Sequence, residues 1–241
     1  MRIGAIVALV TFAALNANST PADDPQLAPY VADYDVKYGS MSAGSSRIEL
    51  RRTATAGQWQ MESRSTASGL ARLIIGGTLV QRSSFQLAAG DMRPLSYQFD
   101  DGSKRTDKDV ALVFDWTTGR VQGTAEGAPV DIASESGLQD AASMQAFVLL
   151  RLNSGREPGI IPMIEKKKIK YYRYTFLRRE RLKTALGMLD TLVYRSARDG
   201  KPGETLLWYA PALGNVNVQA VQREDGKRQW QTYIRNYRPG S

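Results

Sequence analysis

The chain contains no histidine and no cysteine, and this decides most of the chemistry open to it. Nucleophile–base pairs of the Ser-His-Asp and Cys-His kinds are excluded. So are the usual zinc, copper and iron ligand sets. Carboxylate and lysine chemistry remain. Cleaving a glycosidic bond needs two carboxyl groups facing each other at about 5–9.5 Å, and Asp100, Asp101, Asp107, Asp109 and Asp115 crowd one stretch around DDGSKRTDKD. That stretch reads first as a hairpin tip, because Asp, Gly and Ser favour turns. It lacks the Asp/Asn spacing and closing Glu of a calcium loop. IIGGT (74–78) is glycine-rich but has no following Gly-Lys-Ser/Thr to hold a phosphate, and a Ser/Lys dyad has no signature. The expectation is a protein that is not an enzyme, with no cofactor and no metal.

A second stretch, EKKKIKYYRYTFLRRERL (165–182), sets Lys and Arg around tyrosines and a phenylalanine. Single-stranded nucleic acid is bound by such mixtures. Read at period two, however, Tyr172, Tyr174 and Phe176 share one face as core. Lys166, Lys167 and Lys168 precede the strand, and Arg178, Arg179 and Arg181 follow it. Charge at strand ends resists edge-to-edge aggregation. The second use for these residues is a basic surface patch facing an anionic partner; nucleic acid ranks last.

The N-terminus places the chain. MRIGAIVALVTFAALNANSTPADD carries Arg2, an apolar run from Ile3 to Leu15, then small and polar residues, which is the layout of a secretory signal peptide. The run is shorter than the roughly 20 residues a membrane span needs. A leader over 1–22 is expected, with cleavage after Ala17, Ser19 or Ala22, then a linker over 23–29. No transmembrane segment is expected in the mature chain. Without Arg2 the net charge of +8 becomes about +7, which draws the protein toward anionic surfaces.

Residues 30–239 read as one β-rich domain. YVADYDVKY alternates Tyr30, Ala32, Tyr34, Val36 and Tyr38 against Asp33, Asp35 and Lys37, the pattern of a half-buried strand. WQMESRS, VALVFDW and WQTYIRNY repeat it. Asp101-Gly102, Asp199-Gly200 and Asp225-Gly226 suit tight hairpins, and Gly57, Gly90, Gly119 and Gly127 mark further breaks. DAASMQAFVLLRLNSG spaces Met144, Phe147, Val148 and Leu152 helically, with Asp140 as N-cap and Gly155 past the end. A shorter helical turn is expected in SGLARLI (68–74). The fold class is α+β, mostly β, with about ten strands: one strongly curved antiparallel sheet, a half-barrel, covering one main helix.

FDW (114–116), LQDAAS (138–143), YYRYTFLRRERLKTALG (171–187) running into LVYRS, and LWYAP (207–211) followed by a strand and EDGK resemble the bacterial exported family called domain of unknown function 3108. The likeness covers about Pro29 to Pro239. Where that family usually has Pro-Val after the Trp motif, this chain has Asn217-Val218, so an edge position for that strand is not implied. The resemblance implies a periplasmic β-rich protein and brings no catalytic residues. By fold analogy with periplasmic lipoprotein carriers, a cleft lined by Trp116, Met144, Phe147, Leu150, Trp208 and Tyr209 would take a lipid or other amphipathic ligand. Ordinary core packing is the alternative use of those side chains. An envelope scaffold that binds proteins through strand edges, and a carboxylate-dependent hydrolase of cell-wall glycan, are the alternative functions.

Overall fold

The computed structural model describes residues 27–69, 77–88, 91–224 and 227–240. The leader, most of the linker, most of the SGLARLI turn, most of IIGGT, Gly90 and the Asp225-Gly226 pair lie outside them. β1 (Tyr30–Tyr38), β2 (Met41–Arg52), β3 (Gln58–Ala67), β4 (Thr78–Ala88), β5 (Asp91–Asp100), β6 (Val110–Asp115), β7 (Arg120–Ala125) and β8 (Ala128–Ala133) form one antiparallel meander. A helix, α1 (Ser143–Asn153), follows. β9 (Ile160–Glu165), β10 (Lys168–Thr184), β11 (Gly187–Arg198), β12 (Glu204–Ala210), β13 (Val216–Glu224) and β14 (Lys227–Pro239) form a second. β14 pairs with β1 from Tyr30↔Pro239 to Tyr38↔Trp230. All belong to one 14-stranded open sheet, ordered β8 to β1 and then β14 to β9. The fold is the mostly-β curved sheet over one helix that the patterning implies, with more strands than the ten expected.

The extra strands are those without clean alternation. β2 (MSAGSSRIELRR) is one: its inward positions include Ser46 and Gly44 where a core strand would carry large apolar residues. Asp101-Gly102 also departs from expectation, opening a longer loop to β6 in place of a tight hairpin. Phe176 keeps the face of Tyr172 and Tyr174, since it pairs with Tyr194 in the register that sets Tyr174 on Ser196, and the register shifts only beyond it, before Arg178. It is 41% exposed and packs edge-on against Tyr194 at 5.5 Å. Asn217-Val218 lies on an interior strand, β13, paired on both sides.

The two edges of the sheet, β8 and β9, approach each other without a ladder between them. Side chains span the gap: Lys166 pairs with Glu126 at 2.5 Å, and the Tyr171 hydroxyl donates to Glu135 at 3.0 Å. Gln139 adds a parallel bridge to Met163 of β9.

α1 is held at both ends by local chemistry. The Asp140 carbonyl accepts from the Met144 N–H at 2.9 Å, starting the helical ladder. Its carboxylate Oδ1 accepts from the N–H groups of Ala142 and Ser143, and its own N–H donates to Ser143 Oγ. This is a reciprocal capping box. At the other end Gly155 has φ +66°, and the N–H groups of Gly155 and Arg156 donate to the carbonyls of Leu152 and Arg151, a Schellman ending. Ala146, Val148, Leu149 and Leu150 are buried, while Met144, Phe147 and Leu152 are half-buried. Burial nearly all round is what a helix inside a curved sheet requires.

Asp140 is fully buried, and its Oδ2 accepts from the Ser83 hydroxyl at 2.6 Å. Burial pushes its carboxyl up to about 6, against the opposing pull of Ser83, Ser143 and the Ala142 N–H. Between about pH 4 and 6 the folded chain therefore holds a proton that the unfolded chain has lost. Stability from this group is full below that window and is lost as pH rises through it, by about 3 kcal/mol in all. Asp140→Asn keeps the cap acceptor and removes the charge. In urea unfolding across pH 4–7 it is expected to abolish this decline without lowering stability at pH 7; an unchanged slope would assign the decline elsewhere. A second prediction concerns β7, where Gly123 has φ +145° and an added Cβ would lie 2.0 Å from the Ala111 carbonyl. Gly123→Ala should cost about 1–3 kcal/mol or more. Gly127→Ala, in an open turn at φ +70°, should cost about 1 kcal/mol. Equal urea midpoints for the two variants would refute the steric argument.

Candidate ligand-binding cavity

Alternation puts every second residue of the central strands on the concave side, and α1 does not fill that side completely. A cavity of about 430 Å³ remains between the helix and strands β1–β3 and β10–β14. Its apolar wall includes Val36, Ile48, Met144, Leu149 and Leu207. Its aromatic wall is Tyr30, Tyr34, Tyr174 and Tyr209. Beside Tyr34, whose strand partner is Ser46, stand three serines: Ser65 Oγ donates to Ser46 Oγ at 2.9 Å, and Ser46 lies 3.5 Å from Ser63. The Tyr34 hydroxyl reaches past β14 to donate to the Asn217 carbonyl of β13 at 2.7 Å. Asn217 itself donates from Nδ2 to the carbonyls of Trp208 and Gln219, beside the register shift between Trp208 and Tyr209.

Burial holds the phenols of Tyr34 and Tyr209 well above their ordinary range and pushes Tyr174 up to about 12. All three are neutral at physiological pH. They offer a hydroxyl and a ring face but no charge, so the chamber suits an apolar body that makes a few hydrogen bonds.

α1 closes the chamber at one end. Asn153, at its last turn, accepts a 2.7 Å hydrogen bond from Asn215 Nδ2 in the β12–β13 turn. The mouth lies at the opposite end, where a polar vestibule of about 470 Å³ shares Tyr172, Ser196 and Thr205 with the cavity. Charged residues frame it: Arg198 pairs with Glu165 at 2.7 Å, Arg223 lies 3.9 Å from Glu204, and Lys201 stands at the rim. The Tyr172 hydroxyl bonds Glu165. Burial, with that carboxylate beside it, raises Tyr172 above the usual phenol range. Tyr172, Glu165 and Arg198 thus form a hydrogen-bonded group where vestibule meets chamber.

The residues singled out from the sequence are divided by this geometry. Met144 and Tyr209 line the cavity. Trp116 packs 6.3 Å from Phe114, donates from Nε1 to the Pro94 carbonyl at 2.6 Å and carries the Arg93 guanidinium over its ring. Phe147 is half-buried against the core, while Leu150 and Trp208 are within it; none of these four belongs to the lining. The basic residues fall at opposite ends of β10. Lys166, Lys167 and Lys168 sit at the β9–β10 turn by the mouth. Arg178, Arg179 and Arg181 lie about 33 Å farther along, at ~3.3 Å per residue, with Arg178 paired to Glu180 at 2.5 Å.

The carboxylate-rich stretch draws Asp100, Asp101 and Asp109 within 4.8 Å of one another, a proximity its reading as a hairpin tip did not anticipate. Turn bonds engage two of them: Asp100 accepts from the Gly102 N–H and Asp101 from the Ser103 N–H. The bonds from Ser103, with Lys108 nearby, hold Asp101 below the usual carboxylate range.

Sequence reasoning missed the serines and the vestibule. Serine on a strand reads as solvent-facing, and the vestibule residues come from turns far apart in the chain. Among the described residues no helix is long and apolar enough to cross a membrane.

The architecture is shared with a solved structure. A β-barrel-like protein of the domain of unknown function DUF1849 from Brucella abortus superposes with a TM-score of 0.59 at 10% identity, covering 90% of this chain and 99% of its own. A protein of YmcC-like fold from Bacteroides fragilis gives 0.39 at 9% identity, covering 89% and 97%. At these identities the likeness to the Brucella protein concerns the fold alone, and the weaker superposition supports nothing further. No curated protein matches the sequence. A family model does match, over residues 33–226, and takes in every lining residue of the cavity except Tyr30, Trp230 and Thr232. The chain therefore belongs to the family described as protein of unknown function, DUF3108.

Proposed function

We propose that the protein is a periplasmic, non-catalytic binder of an amphipathic molecule of the cell envelope, with the ligand's apolar portion in the chamber and its polar head in the vestibule. One observation carries this reading: an apolar and hydroxyl-lined cavity of about 430 Å³ joined through Tyr172, Ser196 and Thr205 to a charged vestibule. Its size lies within the roughly 300–1,000 Å³ of small-molecule sites. The neutral phenols and paired serines would hydrogen-bond an ester, amide or hydroxyl without the desolvation cost of a buried charge. The vestibule mixes Arg198, Lys201 and Arg223 with Glu165, Glu204 and Glu224, which favours a zwitterionic or amide-bearing head over a polyanion. The leader-like segment over 1–22 supports export, and the lack of histidine and cysteine supports binding without turnover.

Native mass spectrometry of protein isolated from the periplasm without detergent, followed by organic extraction, tests the reading. A stoichiometric amphipathic adduct is expected. Ser65→Trp, which places an indole in the chamber, should lower its occupancy at least ten-fold. Trp116→Ala, outside the lining, should leave occupancy unchanged. An apo mass for the parent protein, or equal occupancy in Ser65→Trp, would overturn it.

A further inference from the structure

Four hairpin turns stand side by side at the mouth, in the order that the sheet dictates: β1–β2, β13–β14, β11–β12 and β9–β10. Two features distinguish this rim. The first is an aromatic lip. Tyr38 is 43% exposed, Met41 60% and Trp230 40%, and the rings of Tyr38 and Trp230 pack 5.0 Å apart. Trp230 also lines an apolar recess of about 220 Å³, with Val36, Gly44 and Leu79. That recess shares Val36, Ser65 and Trp230 with the main cavity. The lip is therefore continuous with the chamber.

The second feature is the placement of lysine. Every lysine of the chain except Lys183 lies in or beside a turn at this end. Lys167, Lys168, Lys201 and Lys227 are exposed, and none of them makes an ion pair among the described residues; Lys166 and Lys108 do, with Glu126 and Asp101. Of the described acids on the four turns, Glu165 and Glu204 are bound to Arg198 and Arg223, Asp199 faces Arg173 at 3.5 Å, and Glu224 is exposed. The carboxylate cluster of the β5–β6 loop lies four strands away from β1.

We propose that this rim docks on an anionic phospholipid surface, with Tyr38, Met41 and Trp230 entering the headgroup region and the free lysines meeting lipid phosphates. Tyr and Trp favour that depth because each has an apolar body and a polar tip. A lysine near an anionic leaflet is drawn to it by the surface potential within a Debye length. Docked this way, the mouth of the cavity faces the bilayer. The inference goes beyond the binding role above and stands whether or not the chamber is filled.

Flotation on a density gradient tests it, with vesicles of equimolar phosphatidylglycerol and phosphatidylethanolamine against vesicles of phosphatidylcholine. The protein is expected to float with the anionic vesicles only, and to be released by raised salt. Each lysine neutralised should lower the partition coefficient about five-fold. Lys167→Gln/Lys168→Gln/Lys201→Gln/Lys227→Gln should therefore lose a few hundred-fold, while Arg178→Gln/Arg181→Gln at the far end of β10 should retain parent binding. Tyr38→Ser/Met41→Ser should weaken binding at least ten-fold. A vesicle-induced blue shift of tryptophan emission should vanish in Trp230→Phe. These turn positions are exposed, and circular dichroism verifies that each variant is folded. Equal binding to phosphatidylcholine, no flotation, or a far-end arginine variant as impaired as the lysine variant would overturn the proposal.

Discussion

The β1–β14 ladder is the contact on which the rest of the structure depends. It joins the first strand to the last, and the Gly240 N–H continues it to the Pro29 carbonyl at 2.7 Å. Without it the chain would be two separate meanders, each with a concave side open to water. With it, Tyr34 of β1 reaches Asn217 of β13, and serines of β2 and β3 face tyrosines of β10 and β12 across one chamber. The loop-closure entropy of this pairing must be met before the chamber can exist, which predisposes the fold to slow formation. Curvature has a local origin in the register shifts at Asp33/Tyr34, Val36/Lys37, Ser84/Phe85, Trp208/Tyr209 and Val221/Arg223. Such irregularities bend a strand and raise its twist.

The chamber lining is polar without being charged. Serines bond one another, buried phenols stay neutral, and the nearby ionisable group, Asp140, is tied into the capping box of α1. The division of labour is clear in the hydrogen bonds. Asp140 and Ser83 fix the helix against β4, whereas Ser46, Ser63 and Ser65 have no backbone to hold and are left to line space. Charge is concentrated at the vestibule, where water can still solvate Arg198 and Glu165.

Much of the fold was legible in the sequence because its determinants are local. Alternation in β1 identified Tyr30, Ala32 and Tyr34 as one buried face. Asp140 and Gly155 marked the ends of α1 through capping geometry that spans only a few residues. The cavity was less legible. Period two says which residues share a face of a strand, but not how far along the barrel each one sits. Trp116 and Tyr209 therefore looked equivalent in the sequence, and only Tyr209 reaches the chamber. Phe176 keeps the face of Tyr174 yet stands 41% exposed beyond the packed core, and serines that face the interior disguised β2. No periodic pattern encodes a seam such as Lys166–Glu126, which depends on how far the whole sheet curls.

Lysine and arginine are sorted by position in this molecule. Arginines lie mainly along the strands, where a planar fork can bridge neighbouring carboxylates, as Arg82 does to Glu62 and Arg120 to Asp131. Lysine ε-amines crowd one pole. With Lys183, exposed at the far end of β10, replaced by arginine, a reagent selective for those amines marks one end of the sheet: coupled through them to a solid support, the molecules would be held in one orientation, with the mouth against the matrix and the floor formed by α1 facing the solvent.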